Sequence, residues 1–341
     1  MNRLKDFFWR TPEADSMLLA SWDAASQVDA NFQYYSGLTI DRATFIAKRD
    51  SEPVLLLSPL NAALAKAEFK GEISVFQPGE YRKLLSTHLT GCRKLAIAKS
   101  SITATLYDNV KKATKARIYD ASNDFVLQRA TKSAAEISLV KRACQIAHKA
   151  FKDLYVRPGK SEDELTHELS ALLYELGAEP SFRPIIGFGS NSRFPHFDGT
   201  SRRLKRNEII LVDWGAKFKG YCSDHTRCVF FGSPPNEQEK AYEKVEQIFD
   251  SLLPLIKPGI SSKKLSQHYH KLLTDAELPL PPHGLGHGIG LDVHEYPSFT
   301  RNSKDEVTAN STLAIEPAAY FKDFGVRYEE TIVVKRSAKV L

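Results

Sequence analysis

The sequence predicts a two-domain protein of the α/β (α+β) class. Its 341 residues exceed what one hydrophobic core usually serves. Residues 30–120 alternate short strand-like and helix-like pieces. Beyond Asp124 the pattern changes to long amphipathic helices in pairs, each pair followed by strand-like segments. The division is expected at residues 125/126, giving a small N-terminal α/β domain (1–125) and a larger C-terminal domain (126–341).

In the N-terminal part, residues 45–47 and 54–57 read as strands joined by a turn. Residues 61–69 read as a helix, 94–98 as a further short apolar run and 103–112 as a second helix. No Gly-rich phosphate loop occurs there, so nothing points to a nucleotide. In the C-terminal part, Ile137, Val140, Ala143, Ile146, Ala147 and Phe151 recur at helical spacing and predict a helix over 134–155. Ser161-Glu162-Asp163-Glu164 reads as a capping box opening the next helix, which Gly177 closes. A second pair is expected over 236–256, ending at Lys257-Pro258-Gly259, and over 261–276. Helix, helix, strands thus occurs twice, which suggests two similar halves of low mutual identity.

Composition excludes several classes. The chain is 42% hydrophobic and 26% charged, as globular proteins are. No apolar run is long enough to cross a bilayer. Met1 to Arg10 mixes charges with Phe7, Phe8 and Trp9 and lacks the apolar core of a secretory signal. The four cysteines have no CxxC spacing, which argues against a thiolate zinc site or a disulfide framework and fits a reducing cytoplasm. Residues 1–125 carry 17 Lys+Arg against 14 Asp+Glu, and the remainder 30 against 27. The excess of positive charge is spread evenly, so neither part reads as a nucleic-acid surface.

Residues 283–295 (His-Gly-Leu-Gly-His-Gly-Ile-Gly-Leu-Asp-Val-His-Glu) set His283, His287 and His294 among four glycines. Glycine weakens regular structure, so four in seven residues imply a backbone passing close to something. Carboxylates lie on either side in sequence. Asp213 ends the apolar run 208–214, where a lone buried carboxylate is costly unless paired or metal-bound. A turn at 217–220 leads to a strand holding Asp224, so a hairpin would bring the two aspartates onto neighbouring strands, about 5 Å apart. Glu316 follows the run 311–315. Residues 326–334 read as one strand with Arg327, Glu329 and Thr331 on one face and Tyr328, Glu330 and Ile332 on the other. One of the two glutamates must point inward, and spacing alone does not choose. Four carboxylates and one imidazole suit hard or borderline divalent ions, manganese or cobalt ahead of copper. They exceed the needs of one ion, and two ions about 3.5–4 Å apart can activate water and polarise a carbonyl, the chemistry of a hydrolase.

These segments resemble the metal-dependent pita-bread peptidases: prolidase (Xaa-Pro dipeptidase), aminopeptidase P and, more distantly, methionine aminopeptidase. The matching stretches are Pro195-His196, 211–215, 220–227, 283–295, Ala314-Ile315-Glu316-Pro317 and 325–330, in the family's order. The resemblance implies that Asp213, Asp224, His287, Glu316 and Glu329 hold two divalent ions, Mn2+ or Co2+ ahead of Zn2+, with Asp224 and Glu329 bridging. It selects Glu329 over Glu330 because the ligand lies two residues after the arginine. It implies that Glu316 shuttles a proton, that His196 and His294 contact the substrate and tetrahedral intermediate, and that His283 and Arg327 orient these groups. Phe197, Ala318 and Tyr328 depart from the family pattern without removing a ligand.

The implied activity is hydrolysis of the Xaa-Pro bond by a creatinase-like N-terminal domain followed by a pita-bread catalytic domain. The short length favours a dipeptidase; the alternative is an aminopeptidase P acting on longer Xaa-Pro peptides. A non-catalytic pita-bread binding protein is disfavoured because all five ligands are present. The resemblance further implies small peptide substrates with proline second, no nucleic-acid or membrane partner, and a cytoplasmic homodimer. His225 and His167 are read as surface or structural, and His268 and His270 as solvated positions on a helix.

Overall fold

A computed structural model describes residues 3–22 and 28–341. The chain divides into two compact units, Met1–Arg129 and Ala130–Leu341. The division expected at 125/126 falls within the helix Ser122–Ala130.

The N-terminal unit is built on a six-stranded mixed sheet. The strand Ser16–Ser21 sits inside it, antiparallel to Ala43–Lys48 and parallel to Lys94–Ile97. Sequence reasoning did not find this strand, because Ser-Met-Leu-Leu-Ala-Ser lacks β-branched residues and alternation. Its burial on both faces explains the pattern: Met17 and Leu19 belong to one core cluster and Leu18 to the other. Val54–Leu57 and Lys94–Ile97 occur as strands, and the helices expected at 61–69 and 103–112 are Ala62–Glu68 and Ala104–Ala113. Thr103 caps the latter by accepting from the Leu106 N–H.

The C-terminal unit repeats one plan. The helices Ala134–Asp153 and Glu162–Glu175 pack on Ile210, Val212 and Trp214 of the strand Glu208–Trp214. The helices Asn236–Leu252 and Ser262–Asp275 pack on Leu313, Ile315, Ile332 and Val334 of the later strands. A sequence signal for this repeat went unread: Arg157-Pro158-Gly159-Lys160-Ser161 recurs as Lys257-Pro258-Gly259-Ile260-Ser261. Both glycines have φ +83°, the left-handed region that glycine occupies without strain. Ser161 and Ser261 each form one antiparallel bridge, to Arg203 and Glu306, before the second helix begins. The capping box at Ser161 is present, and Ser133 with Glu136 forms another. The helix expected to reach Ile256 ends at Leu252, because Pro254 lacks the N–H that would continue it.

Two expectations about strands are corrected. The hairpin of Ala216–Phe218 with Tyr221–Cys222 is separate from the pairing of Glu208–Trp214 with His225–Phe231. Asp213 therefore faces Thr226, and Asp224 lies in the short link before the strand His225–Phe231. The run 326–334 is also not one strand: Gly325–Arg327 pairs with Ala318–Tyr320, and Glu330–Val334 pairs with Ser311–Ile315. The chain changes partners at Tyr328 and Glu329, where Glu329 bridges Thr226.

The Gly-rich segment is tied down by a buried ion pair. Lys132 Nζ donates to Glu295 Oε2 at 2.9 Å with both side chains 2% exposed. Glu295 Oε1 accepts from the N–H groups of Leu291 and Asp292. Removing one partner of such a pair leaves an uncompensated buried charge, which costs about 3–5 kcal/mol. Lys132→Met is expected to lower unfolding free energy by about that amount in urea titrations; a loss under about 1 kcal/mol, typical of a surface pair, contradicts this reading.

Candidate metal centre

Strand ends and links bring the predicted carboxylates together. Asp213 comes from the end of Glu208–Trp214 and Asp224 from the link before His225. His287 comes from the centre of the short strand Gly286–Gly288, Glu316 from just beyond Ser311–Ile315, and Glu329 from the break before Glu330–Val334. The last two strands of this list and Gly286–Gly288 share one five-stranded sheet, and the bridge from Thr226 to Glu329 ties the other strands to it.

Donor atoms of Asp224, His287 and Glu329, all buried, lie within 4.8 Å of one another. His287 Nε2 is 3.7 Å from Asp224 Oδ2. The other ring nitrogen of His287 faces the Gly288 carbonyl at 3.0 Å. A carbonyl only accepts, so Nδ1 carries the proton and Nε2 presents its lone pair to the carboxylates. Burial, reinforced by His294, holds the His287 ring down to about 3, so it is neutral at physiological pH.

The carboxylates strain against one another. Burial, then the charges of Glu329, Asp213 and Glu316, push the Asp224 carboxyl well above the usual range. Burial, then Glu316 and Asp213, do the same to Glu329. Burial raises Glu316 to about 7, with Arg327 opposing. Asp213 is raised by burial and pulled back by Arg327, which donates Nη2 to Asp213 Oδ2. Asp213 Oδ1 and Asp224 Oδ1 are buried without a hydrogen-bond partner. A buried carboxylate oxygen left unpaired is costly. Divalent cations would satisfy those oxygens and relieve the repulsion, and four carboxylates with one imidazole are a donor set for them. The residues present fit the metals that the sequence implies.

Arg327 and Thr226 hold the cluster from behind. The Thr226 hydroxyl accepts from Arg327 Nε at 2.9 Å and donates to Glu329 Oε2 at 2.7 Å. Arg327 Nη1 donates to the Tyr320 hydroxyl at 2.7 Å, and that hydroxyl is 2.9 Å from His283 Nε2. Sequence reasoning missed Thr226 and Tyr320. The signal for Thr226 was its place opposite Asp213, which only the true register reveals. His283 Nδ1 donates to the Gly284 carbonyl at 2.8 Å and lies 3.5 Å from Glu316 Oε2. The His294 ring is 4.2 Å from that of His287. His196 is exposed, and the carbonyl of the preceding Pro195 accepts from Arg327 Nη1 at 3.4 Å. All nine predicted site residues thus belong to one neighbourhood.

Both glutamates of the 329–330 pair are buried, not one. Glu330 is turned to other partners: Arg227 donates to its Oε1, and His225 Nδ1 lies 3.1 Å from its Oε2. His225 is fully buried, so it is not a surface residue. The glycines stand, as expected, where the backbone passes close to its neighbours. A Cβ on Gly286, whose φ is +151°, would lie 2.1 Å from the Ala314 carbonyl oxygen, and one on Gly288 would lie 2.1 Å from that of Tyr296. They let neighbouring strands approach His287, and a Cβ on Gly290 would lie 2.6 Å from Glu295 Oε2.

Residues 138–336 match the sequence profile of metallopeptidase family M24. The chain belongs to that family. It is a metallopeptidase. Over 314 residues it is 30% identical to the Xaa-Pro dipeptidase of Pyrococcus horikoshii, covering 90% of this chain and 88% of that protein. The solved Xaa-Pro dipeptidase from Bacillus anthracis superposes with a TM-score of 0.90 at 26% identity, covering 99% and 95% of the two chains. The prolidase from Pyrococcus horikoshii gives 0.89 at 27% identity, covering 100% and 97%. The fold of this M24 peptidase is the pita-bread fold of those enzymes.

The raised Glu316 carboxyl has a measurable sign. Its folded value of about 7 lies above the ordinary 4.5, so it takes up a proton on folding. Its favourable contribution is complete below about pH 4.5 and is lost as pH rises through about 7. In chelator-treated protein, urea unfolding of wild type against Glu316→Gln is expected to show a wild-type advantage that shrinks from about pH 5 to about pH 8. A gap that stays flat or grows with pH contradicts the assignment.

Proposed function

We propose that this M24 peptidase is a prolidase, cleaving the bond between an N-terminal residue and proline in dipeptides. The observation that carries the proposal is the convergence of Asp213, Asp224, His287, Glu316 and Glu329 in a chain 30% identical to an Xaa-Pro dipeptidase. In this reading the five residues would hold two divalent ions, with Mn2+ or Co2+ preferred and Zn2+ tolerated. When bound, the ions supply Lewis acidity that activates water and polarises the scissile carbonyl.

The chain's own residues do the rest. Glu316, partly exposed and beside His283, accepts a proton from the attacking water and returns it to the leaving proline nitrogen. His294 donates to the developing oxyanion, and His196 contacts the substrate from the exposed side. Arg327 and Thr226 keep Asp213 and Glu329 in place, while Tyr320 fixes the His283 ring. The N-terminal unit is the creatinase-like domain of this reading, and the protein works as a cytoplasmic homodimer. No helix of the described residues is long and apolar enough to cross a membrane.

The deciding experiment compares manganese- or cobalt-loaded protein on Leu-Pro with the same protein on a longer Leu-Pro-peptide. The dipeptide is expected to be cleaved faster, and Asp224→Asn to abolish cleavage of both. Faster cleavage of the longer peptide would make the enzyme an aminopeptidase P. Cleavage of neither, or full activity in Asp224→Asn, would refute the reading.

A further inference from the structure

A second group of metal-ligating side chains lies apart from the carboxylate cluster. His148, from the helix Ala134–Asp153, meets His225 and Glu330, which open the strands His225–Phe231 and Glu330–Val334. Their donor atoms lie within 4.8 Å of one another. His225 Nδ1 is 3.1 Å, and His148 Nε2 3.5 Å, from the same oxygen, Glu330 Oε2. The two imidazole rings are 4.3 Å apart between centroids.

The His225 contact has an ordinary hydrogen-bond length, but the 3.5 Å contact of His148 is too long for a good N–H···O bond. Around a tetrahedral zinc with ligands at about 2.0–2.2 Å, neighbouring donors stand about 3.3–3.5 Å apart. The group also has unsatisfied polar atoms. His148 Nε2, one of the three donor atoms, is buried without a hydrogen-bond partner, as is the far ring nitrogen, Nε2, of the fully buried His225. Arg227 donates to Glu330 Oε1. It fixes the carboxylate with Oε2 turned to the histidines, and its charge weakens the hold on any cation.

We propose that His148, His225 and Glu330 form a zinc site, distinct from the carboxylate cluster. Two imidazoles and one carboxylate are a borderline donor set that zinc accepts, with water as a fourth ligand entering beside His148, whose side chain is 38% exposed. The ion ties the helix Ala134–Asp153 to two strands at the residues that directly follow Asp224 and Glu329. The carboxylate cluster draws on Asp224 and Glu329 instead, so the two groups share no ligand.

The test counts zinc. Chelator-stripped full-length protein is equilibrated with buffered zinc, and bound metal per chain is measured by plasma emission. Wild type is expected to hold one ion more than His148→Ala and one more than His148→Gln, with Xaa-Pro hydrolysis by the manganese-loaded variants unchanged. If the two-ion peptidase centre also holds, the totals are three against two. If that centre fails, the difference of one remains. Equal zinc in wild type and either variant, whatever the total, overturns the site.

Discussion

The C-terminal unit is arranged around carboxylates that repel one another where little water reaches to screen them. Burial raises the proton affinity of Asp213, Asp224, Glu316 and Glu329, neighbouring carboxylates raise that of the last three further, and two of the oxygens find no hydrogen-bond donor. Among the described residues, one guanidinium, that of Arg327, answers them from within this group. A fold does not gather such charges for stability, because desolvating them is costly. It holds them by rigid means and leaves the balance to cations.

The rigid means are strands from both halves of the C-terminal unit. The first half supplies Asp213 and Asp224, and the second supplies His287, Glu316 and Glu329. One junction between them is where Thr226 and Glu329 exchange backbone hydrogen bonds and the Thr226 hydroxyl reaches the Glu329 carboxylate. Because Thr226 also stands opposite Asp213 in the register, one residue sets the spacing between ligands of opposite halves. The neighbouring His225 and Glu330 repeat the junction on the other side, with Arg227 and His148 as partners.

Much of this was legible in the sequence for local reasons. Asp213 stands out because Ile-Ile-Leu-Val precedes it, and the helix pairs announce themselves through periodicity and the Ser161 cap. The five ligand positions came from the resemblance, whose motifs are specific as a set. What was not legible depends on partners distant in sequence. A strand that reads as continuous over 326–334 breaks because its two ends pair with different strands. The burial of Glu330 rests on Arg227 and His225, which approach from another sheet. The strand Ser16–Ser21, buried on both faces, offers no alternation to read. Thr226 looks like an ordinary strand residue until its register is known.

In this arrangement the buried carboxylates hold protons until divalent cations replace them. Calorimetric titration of chelator-treated protein with Mn2+ near pH 7, repeated in buffers of different ionisation enthalpy, counts the protons exchanged. Net proton release on loading, lost or reduced in Glu316→Gln, is the result expected. Saturable Mn2+ binding with no proton release would mean that the carboxylates are already ionised together without cations, and would contradict the account.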